Sequence, residues 1–235
     1  MVWWSAAGLL WLAGGLAAVD LRVALWMVAV VAQYVGVWIG FPVPGLGRSR
    51  TTDYTIVGGH LAERCQPILV TGADLGGLDL SVPTVLAFAV AFAGSVALWW
   101  IYFDRGAEAG RRAMSTASDP GRLRISAYNY LHVPMVAGII VAAAADGLTM
   151  AHPTGRTTVG TTALTLGGFA LYLLGNALFE WVLRGRLPRS RLAAVCALAA
   201  LLPLSLATSA LVLLSAATLV MFVVALWDAR FPGGA

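Results

Sequence analysis

Lysine is absent from this chain, charge of either sign is scarce, and cysteine occurs only twice. Charged residues make up 11% of the 235 positions, against about 25% in a typical soluble domain. So little charge cannot clothe a water-facing surface, which excludes a soluble globular protein. A membrane β-barrel would alternate apolar and polar residues along each strand. No such alternation runs through the sequence, so that architecture is excluded too. Cys65 and Cys196 form no metal-ligand pattern and read as small buried hydrophobes. There is no phosphate loop, no His-Glu-x-x-His and no nucleophile elbow, so neither a cofactor nor a metal centre is expected. The net charge of +4 is carried by arginines in short segments between apolar runs. That placement fits the positive-inside rule and not a nucleic-acid surface.

What the chain has in abundance is hydrocarbon. Apolar residues are 60% of the sequence and the mean hydropathy is +0.83. In lipid every backbone polar group must be satisfied internally, so the expected fold is an all-α transmembrane bundle. Seven runs have the length of about 17–25 residues that a crossing needs. They are Trp3–Val19, Val23–Phe41, Val82–Phe103, Ala127–Ala145, Gly160–Leu183, Leu192–Ala207 and Ala210–Trp227. The last two form one long apolar stretch, and Pro203 with Ser205–Ser209 marks where it turns. An eighth segment, Thr55–Ala73, carries His60, Glu63, Arg64, Gln66 and Pro67 and must be shielded by its neighbours. Counting it gives about eight spans of crossing length in one membrane domain, residues 1–235.

Arginine sets the expected orientation. Asp104–Ser126 holds Arg105, Arg111, Arg112, Arg122 and Arg124, and Arg184–Arg191 holds Arg184, Arg186, Arg189 and Arg191. Both segments are expected in the cytoplasm, and with eight crossings both termini join them. Met1 is followed by Val2, Trp3 and Trp4 with no basic stretch, so the first span is expected to remain in the membrane. Trp38, Trp99, Trp100, Trp181 and Trp227 stand at span ends, where interface belts form.

Ionisable groups inside a bilayer cost about 2.5–3.5 kcal/mol each at a helix centre, so each calls for a partner or a role. Three constellations stand out. His60, Glu63 and Arg64 share one helical face ahead of Pro67, as a cation or proton site or as an inter-helix polar lock. Tyr128, Asn129 and His132 precede Pro134, where His132 is either a proton-linked group or a bonded interfacial histidine. Tyr172, Asn176 and Glu180, four apart, stripe an apolar helix, and Glu180 is placed for an ordinary pair with Arg184. The candidate polar site is therefore His60, Glu63, Arg64, Asn129, His132, Asn176 and Glu180.

Four blocks carry a family likeness. Pro44–Thr51 leads into Gly59-His-Leu-Ala-Glu-Arg64, followed by Leu98-Trp-Trp-Ile-Tyr-Phe-Asp104 and Tyr128-Asn-Tyr-Leu-His-Val-Pro134. In order and spacing they resemble the bacterial low temperature requirement protein A family. The resemblance implies a multi-pass protein of the bacterial inner membrane with a link to growth in the cold. It also implies further N-terminal spans in longer members, and Leu75 stands where those members carry a glutamate. The leading expectation is a transporter- or channel-like protein that conducts a small ion or solute. The alternatives are a non-catalytic scaffold or incomplete member working beside a partner chain or a second copy, and a lipid-directed enzyme using Glu63 or His132. Beyond such a chain, the lipid bilayer is the expected partner and nucleic acid is not.

Overall fold

The computed structural model describes residues 9–10, 13, 17–40, 81–103 and 130–230, and these are almost wholly helical. The elements are α1 (Val19–Gly40), α2 (Val82–Phe103), α3 (His132–Ala151), α4 (Val159–Arg184), α5 (Arg189–Ala200), α6 (Leu202–Ser205) and α7 (Ala210–Arg230). Among the described residues there is no strand, only an isolated bridge between Arg156 and Ser209. Two compact units are distinguished, residues 1–49 with 117–130, and residues 50–116 with 131–235.

In the first unit, α1 is 22 residues long. Leu21, Val23, Met27, Val28 and Val31 are exposed on it, whereas Ala29 is buried. Its first turn is held by Arg22, which donates from Nη2 to the Ala17 carbonyl at 3.1 Å and lies 5.9 Å over the Trp26 ring.

The second unit is an antiparallel bundle of α2 to α7. Four of its helices, α2, α3, α4 and α7, are long and apolar enough to cross a membrane. That supports an all-helical membrane protein, while the count of about eight crossings of sufficient length is not reached among the described residues. Trp3–Val19 lies mostly outside them and Thr55–Ala73 wholly so.

Two expected boundaries change. The helix expected over Ala127–Ala145 is described from His132 and runs on to Ala151, so Asp146 is a buried helical residue and not the start of a loop. Leu192–Ala207 is not one helix: α5 ends at Ala200 and α6 restarts at Leu202. Pro203 has no N–H to offer the carbonyl four residues back and its ring crowds that turn, so the helix breaks there. The two pieces still run the full length of α7. Arg191 pairs with Asp228 at one end, and Thr157, whose loop adjoins α7, bonds through its hydroxyl to the Ser205 carbonyl at the other.

The closest packing is between α3 and α4. A Cβ built on Gly138 would come within 2.5 Å of the Tyr172 backbone nitrogen, and one on Gly168 within 2.7 Å of that of Ala142. Without side chains at these points the two backbones touch, as is usual where helices associate in lipid. The ends of α4 are set locally. The Thr158 hydroxyl accepts from the Thr161 N–H at 3.1 Å, and the Gly185 N–H returns to the Trp181 carbonyl at 2.7 Å.

Candidate functional site

Antiparallel order brings Phe103, His132, Arg184, Arg189 and Arg230 to one end of the second unit. The polar side chains of interest collect there. Arg191, two residues into α5, is 1% exposed and sits at the centre. Its Nε donates to Asn176 Oδ1 at 2.9 Å, its Nη2 to Glu180 Oε1 at 2.8 Å and its Nη1 to Ser190 Oγ at 2.9 Å and to Asp228 Oδ2. Ser190 in turn donates to Asp228 Oδ1 at 2.9 Å, and Arg184 Nη1 lies 3.3 Å from Glu180 Oε2. One guanidinium thus joins three helices, taking two residues from α4 and one from α7.

Every oxygen of the two carboxylates has a cationic or hydroxyl partner. Such an arrangement holds charge in a water-poor setting without leaving it bare. It has no spare carboxylate oxygen for a metal ion, and no group of three or more possible metal ligands exists among the described residues. The unspent groups are mainly donors. Asn176 Nδ2 and the hydroxyls of Thr162 and Thr218 are buried with no hydrogen-bond partner among the described residues.

A second polar pair lies beside this cluster. Tyr102 Oη and His132 Nε2 are 2.8 Å apart and buried. Phe179 meets both rings, the Tyr102 ring at 6.1 Å and the His132 ring edge-on at 5.1 Å. Phe179 directly precedes Glu180 on α4, so one apolar ring separates the histidine pair from the arginine cluster. Deeper in, the Tyr172 hydroxyl donates to the Leu98 carbonyl at 2.6 Å and ties α4 to α2.

Of the seven residues expected at a polar site, His132, Asn176 and Glu180 are buried at this end. Asn176 and Glu180 meet through Arg191, while His132 belongs to the separate tyrosine pair. The expected Glu180–Arg184 pair is present. His60, Glu63, Arg64 and Asn129 lie outside the described residues, as does Tyr128. Sequence reasoning missed Arg191, Asp228 and Tyr102. Arg191 was assigned to a cytoplasmic loop on charge alone, although an apolar run begins at the next residue. Asp228, directly after the last span, carried the same signal. Cys196 also differs from expectation: it is exposed, because α5 turns Arg191, Ala194 and Leu198 inward.

The family likeness can now be stated. The model of the bacterial low temperature requirement A protein matches residues 1–226. The chain belongs to this family. An uncharacterized protein of Rhizobium meliloti (strain 1021) is 31% identical over 242 residues, which cover 96% of the present chain and 58% of that relative. The chain thus spans little more than half of the relative it matches. No solved structure matches it.

Proposed function

We propose that this protein carries a small ion or polar solute through the interior of its helical bundle. The observation that supports this reading is the set of unpartnered buried donors, Asn176 Nδ2, Thr162 Oγ1 and Thr218 Oγ1. In an apolar interior an unbonded polar group costs free energy, so it selects for water or a polar solute that bonds it. Asn176 borders the arginine cluster, and Thr162 lies on the same helix near its opposite end.

The proposed protein is multi-pass in the bacterial inner membrane. Residues 82–230 make five bundle-length passes if α5 and α6 count as one, and three further runs precede them, which favours eight crossings. An even number puts both termini on one side, and α7 ends with Arg230 at the arginine-rich end, the side favoured for the cytoplasm.

Purified chain in liposomes, loaded with reporters for H⁺, Na⁺, K⁺ and chloride, tests the transport reading. Flux of one of these is expected, and it should fall sharply in Thr162→Val, whose hydroxyl has no partner to lose among the described residues, while thermal unfolding in detergent stays near that of the parent. Absence of flux for every ion, with folded protein in sealed vesicles, removes the reading for ions. A second reading, a scaffold that works beside a partner chain or a second copy, is favoured by the saturation of Arg191. It predicts that Thr162→Val leaves cold growth unchanged, and that a partner copurifies.

A further inference from the structure

Beside the buried polar groups, and independent of whether anything is transported, a cavity opens between α2 and α3 over the floor made by Tyr172. Its volume is about 30 Å³, and Leu98, Trp99, Phe103, Met135, Val136 and Ile139 line it together with Tyr102 and Tyr172. The size would admit about two waters, but the walls give them nothing to bond. Both tyrosine hydroxyls are already engaged, one with His132 and the other with the Leu98 carbonyl. The opening is lined almost wholly by carbon, so hydrocarbon lying over it is its natural cover.

The depth of this opening in the bilayer can be read from tryptophan. Trp99, Trp181 and Trp227 are 42%, 49% and 45% exposed. They stand within about one turn of the ends of α2, α4 and α7, all at the arginine-rich end. Three exposed indoles at one level are the mark of a membrane–water interface. The cavity lies at and just below that level, where the upper part of an acyl chain runs. Beyond it Arg186, Arg189 and Arg230 are exposed, whereas the described acids of the same end, Glu180 and Asp228, are buried and paired. The surface that the described residues present to the headgroups is therefore positive.

We propose that this end of the bundle binds an anionic glycerophospholipid, with one acyl chain lying across the mouth of the α2–α3 cavity and its phosphate drawn to the exposed arginines. A basic surface beside an apolar cleft between membrane helices is what such a lipid recognises.

Native mass spectrometry of the delipidated full chain, offered phosphatidylglycerol or phosphatidylcholine with matched chains, measures the preference. Retention of phosphatidylglycerol is expected to exceed that of phosphatidylcholine by about tenfold, the order set by one or two arginines near the headgroup. Arg186→Gln with Arg189→Gln should bring the two lipids close to parity. Val136→Trp, or the smaller Ile139→Phe, fills the cavity and should lower retention of both. Phosphatidylglycerol bearing a photoreactive acyl chain supplies a check without any variant. It should label peptides containing Leu98–Phe103 or Met135–Ile139 more than its phosphatidylcholine counterpart does. Equal retention of the two lipids by the parent chain overturns the headgroup part of the proposal. Labelling confined to other peptides, or unchanged retention in a cavity-filling variant that unfolds like the parent, overturns the site.

Discussion

At the scale of single residues, Arg191 carries more of the structure than any other charged group described. Removing a buried cation strands the carboxylates it neutralises, and breaking such a pair costs about 3–5 kcal/mol. Arg191→Leu is therefore expected to lower the unfolding temperature in detergent sharply, with much of the protein lost on expression. Arg184 contacts the same glutamate but is 31% exposed. Arg184→Gln should cost only about 0–1 kcal/mol, as for pairs that water can screen. If the two variants unfold alike, the cluster is not the buried lock its geometry describes. Tyr102→Phe removes only one oxygen, yet it leaves His132 Nε2 without its phenol partner. A loss of about 1–3 kcal/mol is expected there, again read by thermal unfolding. The Glu180–Arg184 pair was legible in the sequence because residues four apart on a helix are neighbours. Arg191 meets Asp228 and Glu180 only because three helices end together, and no spacing along the chain announces that.

At the scale of elements, composition and length were enough to place α2, α4 and α7 within a few residues, because each is an apolar run bounded by charge, turn residues or proline. Asp146 misled the placement of α3. A lone carboxylate reads as the end of a span, but buried among helices it is carried inside one. Pro203 with Ser205–Ser209 marks the turn in the sequence, and the chain does turn within that run, after Ser205, while the proline breaks the helix before it. What fixes α3 against α4 was not visible at all, since glycines in apolar runs look alike until a second helix is laid on them. The contact yields a sharp comparison. Gly138→Ala places a methyl group 2.5 Å from the Tyr172 backbone nitrogen, which only separation of the helices relieves. About 1–3 kcal/mol of destabilisation is expected from such overpacking. Gly167, next to Gly168, is exposed, and a methyl group there meets nothing. Gly167→Ala should be neutral or stabilising by up to about 1 kcal/mol, the helix preference of alanine over glycine. Equal unfolding temperatures for the two variants would show that α3 and α4 do not touch at Gly138.

At the scale of the whole molecule, the two ends of the second unit differ in charge. The end where α4 gives way to α5 carries Arg184, Arg186 and Arg189, and Arg230 closes α7 beside them. The opposite end has Arg156 alone among the described residues. A short connection rich in arginine resists translocation, so the proposed orientation keeps the first end in the cytoplasm. The test needs one reactive thiol at each end of α4. With Cys65 and Cys196 replaced by serine, Thr154→Cys and Leu187→Cys both fall on exposed positions of the connecting turns. A membrane-impermeant maleimide applied to cells whose outer membrane alone is opened should label Thr154→Cys at once. It should reach Leu187→Cys only after the inner membrane is permeabilised. The reverse pattern would invert the orientation and leave the bundle intact. Labelling of both from the same side would mean that α4, 26 residues long and apolar enough to span, does not cross the bilayer. The tryptophan belt and the lipid site placed beneath it would then lose their common reference plane.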